Sequence, residues 1–131
     1  MTATAIAAPA PQANAITWFE IPVLDLNRAT AFYEAVLATK LTRAVYGEPM
    51  SIFPVQPNGL TGTLVSRPEL RPGVRGPMLY LDCTGRLDEA VALVEAAGGI
   101  LVEPITVIEG GFGRFATIRD TEGNRISLHS R

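Results

Sequence analysis

Two side chains that could take part in chemistry share one face of the first predicted strand, at residues 16–22. Successive strand residues point to opposite faces, so Trp18 and Glu20 lie together and away from the apolar set between them. A partly buried carboxylate such as Glu20 can act as a general acid or base. The alternative is a satisfied group that pairs with Arg125 or accepts a hydrogen bond from Tyr80. Glu20 is therefore a candidate catalytic residue whose role stays open at this point.

The same alternation places further candidate residues on two later strands. Met78 and Tyr80 follow Trp18 and Glu20 at an offset of about 60 residues, as the counterparts of those two side chains in a second copy of the pattern. The last strand carries three polar residues on one face: Arg125, Ser127 and His129. We expect these faces to line a cavity with an apolar floor and a few polar groups, as in many small-molecule sites. His129, the single histidine, is a second candidate for proton transfer.

A glycine-rich run and a cysteine have weaker claims to function. The run at residues 110–113 precedes a strand rather than a helix N-terminus, so it does not predict a phosphate cradle. It favours a mobile loop at the cavity mouth, with Phe112 as a lid or a dimer contact. Cys83 falls on the apolar set of its strand and is expected to be a small, inert core residue.

A strand, a capped turn and an amphipathic helix hold the first candidate residues, within residues 16–37. Asp25 is a good N-cap, and apolar residues recur at spacings of three and four through the helix that follows. Three short strands are predicted next, each bounded by turn sequences: residues 41–45, 50–55 and 60–66.

The pattern restarts after a proline- and glycine-rich linker at residues 67–76. Its three arginines are expected to be solvated: Arg67, Arg71 and Arg75. The second copy is predicted to contain a strand, a helix and three strands, at residues 77–83, 87–97, 100–108, 114–119 and 125–129. The chain is thus predicted to be α+β, with a first module at 16–66 and a second at 77–131, enclosing a cleft.

Size and composition predict one globular domain behind a flexible tail at residues 1–15. The chain has 131 residues, of which 47% are hydrophobic and 18% charged, and its net charge is -2. These values favour neither disorder nor nucleic-acid binding, and no apolar run approaches the roughly 20 residues that span a bilayer. A single cysteine and a tail without the charge pattern of a signal peptide favour a cytoplasmic protein.

Three segments resemble the vicinal oxygen chelate superfamily, which includes glyoxalase I, bleomycin-resistance proteins and extradiol dioxygenases. They are ITWFEIPVLDLNRATAFYEAVL at residues 16–37, GPMLYLDC at 76–83 continuing to RLDEAVALVEAAGG at 86–99, and GRFATIRDTEGNRISLHS at 113–130. The resemblance spans about residues 16–129. It implies two paired βαβββ modules that form a cupped mixed sheet, and a homodimer.

The resemblance also implies where metal-dependent relatives carry their ligands. At the matching strand positions this chain has Trp18, Met78 and Ser127, and the fourth position falls at Gly62 or Thr63. None of these is a usual ligand of a divalent metal, and a two-histidine, one-carboxylate triad needs more than one histidine. An oxygen-only magnesium site stays open. We predict no metal and no other cofactor.

Three functions remain open. The first is a non-catalytic binder that holds a small organic molecule in the cleft. Its predicted ligand-binding residues are Trp18, Glu20, Met78, Tyr80, Phe112, Arg125 and Ser127. The second is a metal-independent lyase or isomerase that uses Glu20, with Tyr80 or His129 as a partner. The third is a structural or interaction module whose cavity is filled by its own side chains.

Overall fold

The structure is a computed structural model that describes residues 7–131; residues 1–6 of the predicted tail lie outside the described residues. Residues 7–15 are exposed and belong to no helix or strand. The described part of the chain then forms ten elements in sequence. They are β1 (Trp18–Pro22), α1 (Leu26–Leu37), β2 (Thr42–Val45), β3 (Pro49–Ile52), β4 (Thr61–Val65), β5 (Tyr80–Asp82), α2 (Leu87–Leu93), β6 (Ile100–Val107), β7 (Arg114–Arg119) and β8 (Arg125–Ser130).

The elements form two four-stranded sheets with the same strand order, β1-β4-β3-β2 and β5-β8-β7-β6. In each sheet the first strand lies at an edge and runs parallel to the last strand of its module, whereas the other neighbours are antiparallel. A parallel neighbour requires a crossover connection, which the helix and the two intervening strands supply. The duplication confirms an α+β fold of two paired βαβββ modules.

The strand register shows which side chains share a face. Glu20 lies opposite Thr63 in the parallel pair of β1 and β4, and Tyr80 lies opposite Ser127 in the pair of β5 and β8. Residues opposite each other in a parallel ladder point to the same side of the sheet. The face of Glu20 therefore continues through Thr63, whereas Gly62 lies opposite Phe19 on the other face.

The two helices differ in how their ends are stabilised. The Asp25 side chain accepts a hydrogen bond from Arg28 N at 3.0 Å, which caps α1 as predicted. The residue before α2, Arg86, makes no such bond, and α2 ends at Leu93. The prediction of a helix to residue 97 is wrong at its end, because residues 94–97 form turns that lead into Gly98 at φ +105°.

One hydrophobic core joins both modules. Tyr33 on α1 is fully buried, and its ring packs edge-on against Phe32 at 5.0 Å and Phe53 at 5.6 Å between centroids. Residues of the second module such as Leu87 and Leu128 belong to the same cluster, and α1 contacts α2. The modules therefore fix each other's position by shared apolar burial.

The hairpin between β7 and β8 docks on the turn between β1 and α1. Glu122 Oε1 accepts hydrogen bonds from the backbone N–H groups of Leu24 at 2.9 Å and Asp25 at 2.8 Å. Arg28 Nε donates to Glu122 Oε2 at 2.8 Å. Asn124 Nδ2 donates to the carbonyl oxygen of Pro22 at 2.7 Å. The last hairpin thus holds the outer edge of the first module.

Glu122 is ionised in this docking contact although its side chain is inaccessible to solvent. Burial alone would raise the pKa of its carboxyl group. Hydrogen bonds from Arg28, from the backbone of Asp25 and Leu24 and from Thr121 outweigh that effect and lower the pKa of Glu122 to about 2.

Neither helix in residues 7–131 is both long and apolar enough to cross a membrane.

Candidate functional site

A cavity of about 290 Å³ lies where the two modules meet. Its walls come from β1, from the segment that enters β5, from the start of β8 and from the linker at residues 67–76. The apolar part of the lining includes Phe19, Ile21, Leu79 and Ile126. Cavities that bind small molecules typically measure about 300–1,000 Å³, so this one suits a small ligand.

Four ionisable side chains line the cavity: Glu20, Arg71, Arg75 and Arg125. Asn124 also contributes to the wall, but its amide is engaged in the hairpin contact with Pro22 and Asp120. The polar character of the cavity is therefore set mainly by one carboxylate and three guanidinium groups. The two exposed arginines, Arg71 and Arg75, belong to the linker.

Glu20 is held by Arg67, which lies at the start of the linker. Arg67 Nη1 donates to Glu20 Oε1 and Arg67 Nη2 to Glu20 Oε2, both at 2.6 Å. Arg67 Nε donates to Glu48 Oε1 at 2.6 Å, so one guanidinium joins two carboxylates. The three side chains keep only 25–30% of their exposed area. The hydrogen bonds to Glu20 and Glu48 raise the pKa of Arg67, and the bond from Arg67 lowers the pKa of Glu48.

The sequence did not predict this ion-pair network of Arg67, Glu20 and Glu48. Arg67 was expected to be solvated in the linker, and Glu20 was expected to meet Arg125 or Tyr80. The available signal was one carboxylate on β1, a second in the turn before β3, and an arginine at the start of the linker. It was too weak to use, since the contact joins residues 47 positions apart.

The remaining predicted site residues separate into different environments. Trp18 and Tyr80 are 45% and 55% exposed, at the edges of their sheets. Phe112 is 68% exposed on its loop, and its carbonyl oxygen lies 2.6 Å from His129 Nε2. The Tyr80 ring packs edge-on against the His129 ring at 6.2 Å between centroids. Tyr80 and His129 therefore lie together on the second sheet, where the backbone of Phe112 contacts His129.

Glu20 and His129, the two candidate catalytic residues, occupy different places. His129 lies four residues beyond Arg125 along β8, about 13 Å at the usual rise of a strand. Its Nε2 faces the carbonyl of Phe112, whereas Glu20 lines the cavity and binds Arg67. A shared proton-transfer pair of Glu20 and His129 has no support in this arrangement.

Four side chains occupy the positions at which the resemblance implies metal ligands. The register places Trp18, Thr63 and Ser127 on the relevant faces, and Met78 precedes β5. An indole, two hydroxyls and a thioether do not match the imidazole, carboxylate and thiolate donors that such ions prefer. Ser127 is fully buried, 3.2 Å from Thr117 Oγ1. Within residues 7–131, no three His, Cys, Asp or Glu side chains come together as a metal-binding group.

Cys83 directly follows β5 and is a core residue, 3% exposed. Burial raises the pKa of its thiol to about 11. The group is therefore almost wholly a thiol at neutral pH and is a poor nucleophile.

Comparison with known proteins identifies the family. A family model described as the glyoxalase/bleomycin resistance protein/dioxygenase superfamily matches residues 15–128. The chain belongs to this superfamily. The match covers both modules and confirms the resemblance read from the three sequence segments. Searched by sequence, the curated proteins contain no match to this member of the superfamily.

Solved structures of several other proteins share the fold. A glyoxalase/bleomycin resistance protein from Albidiferax ferrireducens is 22% identical with a TM-score of 0.69, over 90% of this chain and 100% of that one. TnmS3, an antibiotic binding protein from Streptomyces, is 23% identical with a TM-score of 0.65, over 92% and 98%. The fosfomycin resistance protein FosX from Listeria monocytogenes is 18% identical with a TM-score of 0.64, over 92% and 95%.

Proposed function

We propose that this chain binds a small organic molecule in the cavity between its modules, without a catalytic divalent metal. The observation that carries the proposal is the 290 Å³ cavity with apolar walls and a few charged side chains. This combination is the usual make-up of a small-molecule site, in which apolar walls supply affinity and polar groups fix orientation. The unsuited side chains at the metal positions of relatives support the second half of the proposal.

The roles of two structural neighbours fit such a function. TnmS3 is described as an antibiotic binding protein and FosX as a fosfomycin resistance protein. At 23% and 18% identity these proteins share the fold with this chain, and the ligand of this chain depends on the residues of its own cavity. A binding role fits the present cavity as well.

A binder is favoured over a lyase or isomerase because of the state of Glu20. Both of its oxygens accept hydrogen bonds from Arg67, which occupy one lone pair on each oxygen and tie the carboxylate to the linker. A general base needs a carboxylate oxygen that is positioned toward the substrate within hydrogen-bond reach. The network therefore suits a structural role for Glu20 in the cavity wall.

The proposal is tested by NMR titration of the labelled protein with a set of small aromatic and aliphatic compounds. We expect amide shifts concentrated at cavity positions such as Gly73, Val74 and Ile126. Val74→Phe adds a ring to the cavity wall and is expected to raise the dissociation constant of the bound compounds about tenfold or more. Val102→Phe is the matched control, because Val102 is 49% exposed on β6 and lies outside the cavity lining.

Two results would contradict the proposal. One is the absence of cavity shifts with every compound at millimolar concentration, which would favour an interaction module. The other is an equal loss of binding in Val74→Phe and Val102→Phe, since only the first of these substitutions alters the cavity.

We also propose that the protein is a cytoplasmic homodimer. Exposed aromatic side chains on the second sheet and its loop, Tyr80 and Phe112, support a second copy as a partner. The single cysteine, buried and unpaired, suits a reducing compartment. Light scattering during size-exclusion chromatography gives the mass directly, and a monomer mass at micromolar concentration would refute the dimer.

A further inference from the structure

We propose that the ligand of this cavity is a small organic acid whose carboxylate or phosphonate group binds Arg125. This inference rests on the proposed small-molecule function and names the chemical class of the ligand. It starts from a donor that the fold leaves unused. Among the residues described, Arg125 Nε is inaccessible to solvent and has no hydrogen-bond partner. Buried donors in folded proteins are nearly always paired, so the chain leaves the hydrogen bonds of this cavity-lining guanidinium incomplete.

The surroundings of Arg125 provide no counter-charge. Its direct neighbour across the β7–β8 ladder is Arg119, which is a second basic residue. Like charges at opposed positions of a sheet repel each other. No carboxylate in residues 7–131 forms an ion pair with either of these arginines.

The cavity as a whole carries an excess of positive charge. Arg71 and Arg75 join Arg125 in its lining, and neither takes part in an ion pair in the described part of the chain. The one carboxylate of the lining, Glu20, is already neutralised by both amino groups of Arg67. An anion in the cavity therefore meets three uncompensated guanidinium groups and no free acidic group.

The geometry of the site selects the kind of anion. A guanidinium presents parallel N–H groups that match the two oxygens of a carboxylate or phosphonate. The apolar residues Phe19, Leu79 and Ile126 line the same cavity and suit a hydrocarbon or aromatic body attached to the acid. The volume of about 290 Å³ limits that body to a small one.

The test compares acids with their neutral amides in pairs of equal shape. Phenylacetate and 3-phenylpropionate are titrated against phenylacetamide and 3-phenylpropionamide, with phenylphosphonate as a separate arm that distinguishes the two acid types. Charge-assisted hydrogen bonds correspond to roughly 10- to 100-fold in affinity, and we expect the acids to bind tighter by this factor. Added salt should weaken the binding of the acids and leave the binding of the carboxamides nearly unchanged.

Variants locate the effect at one residue. Arg125→Gln removes the proposed partner and is expected to abolish the preference for the acid. Arg125→Lys keeps the positive charge but lacks the paired N–H groups of a guanidinium, so it should retain part of this preference. Arg43→Gln is the matched control, because Arg43 is exposed on β2 and donates to Asn27 away from the cavity. It should bind acids as the wild type does, and the amide spectrum of each variant verifies its fold.

The outcomes separate the two levels of the proposal. Equal binding of acids and amides at the cavity would overturn the organic-acid inference and leave the small-molecule function standing. An equal loss of acid affinity in Arg125→Gln and Arg43→Gln would also overturn this inference, because the loss would then reflect only the overall charge of the protein. If neither the acids nor the carboxamides shift the backbone NMR signals of the cavity residues, the small-molecule function itself is refuted.

Discussion

Glu122 gives the sharpest test of how the modules are joined. Its carboxylate accepts the backbone N–H groups of Leu24 and Asp25 and pairs with Arg28, while its side chain is shielded from solvent. These contacts lower its pKa from an ordinary 4.5 to about 2. A difference of this size corresponds to about 3 kcal/mol of stability carried by the ionised form. That is a large share of the roughly 5–15 kcal/mol that stabilises a typical domain.

The sign of the pH dependence follows from the lowered pKa. A carboxyl group with a lower pKa in the folded state than in the unfolded state stabilises the fold when it is ionised. For Glu122 this contribution is complete above about pH 5.5 and falls away between pH 4.5 and about pH 2. Other paired carboxylates such as Glu48 and Asp88 also have a lowered pKa, so the Glu122 part has to be isolated by a difference between variants.

The measurement is urea unfolding of the wild type and Glu122→Gln, followed by circular dichroism from neutral pH into acid. We expect Glu122→Gln to be less stable by about 3 kcal/mol at pH 7, and the gap to narrow as the wild type is protonated. Glu103→Gln is the control, since Glu103 is exposed on β6 and its loss should change stability by no more than about 0.5 kcal/mol. A gap that stays constant down to about pH 2.5 would show that the ionised carboxylate does not carry the stability of this contact.

Two further predictions concern the packing of single residues. Gly62→Ala is expected to destabilise the fold by about 1–3 kcal/mol, because a methyl group there would lie 2.5 Å from Phe19 Cγ and collide with the Phe19 carbonyl. Thermal unfolding measures this cost, and Gly73→Ala, which has open space at the same atom, should be nearly neutral; equal losses would refute the steric explanation. Cys83, with its thiol pKa raised to about 11 by burial, is expected to react with a thiol reagent only as fast as the protein unfolds. Rapid labelling of the native protein at neutral pH would contradict the core position of this thiol.

The local pattern of the sequence contained most of the fold. Asp25 before a periodic apolar stripe was enough to predict the start of α1, because an N-cap acts on the residues directly after it. The end of α2 was predicted four residues too late. Gly98 and Gly99 predicted the end of the helix, but α2 ends before them. At its start, the Arg86 side chain makes no capping hydrogen bond. Competing turn geometry of this kind is not visible in apolar spacing.

The candidate site was harder to predict, because its geometry depends on contacts between distant residues. Strand alternation identified the faces of Glu20 and Arg125, which both line the cavity. It gave no means of knowing that Arg67 would bind Glu20, since the linker has no periodic structure of its own. Alternation also could not rank exposure along one face. Ser127 is fully buried while Tyr80, directly opposite it, is largely exposed at the sheet edge.

The docked hairpin also constrains the order in which the molecule can form during synthesis. The amide groups of Leu24 and Asp25 find their acceptor in Glu122, 98 and 97 residues further along the chain. A nascent chain emerges from its N-terminus, so the first module is made long before the segment that completes its outer turn. Contacts of such sequence separation slow folding, because a large loop must close before they form. Until the final hairpin has been synthesised, the β1–α1 turn remains without its partner.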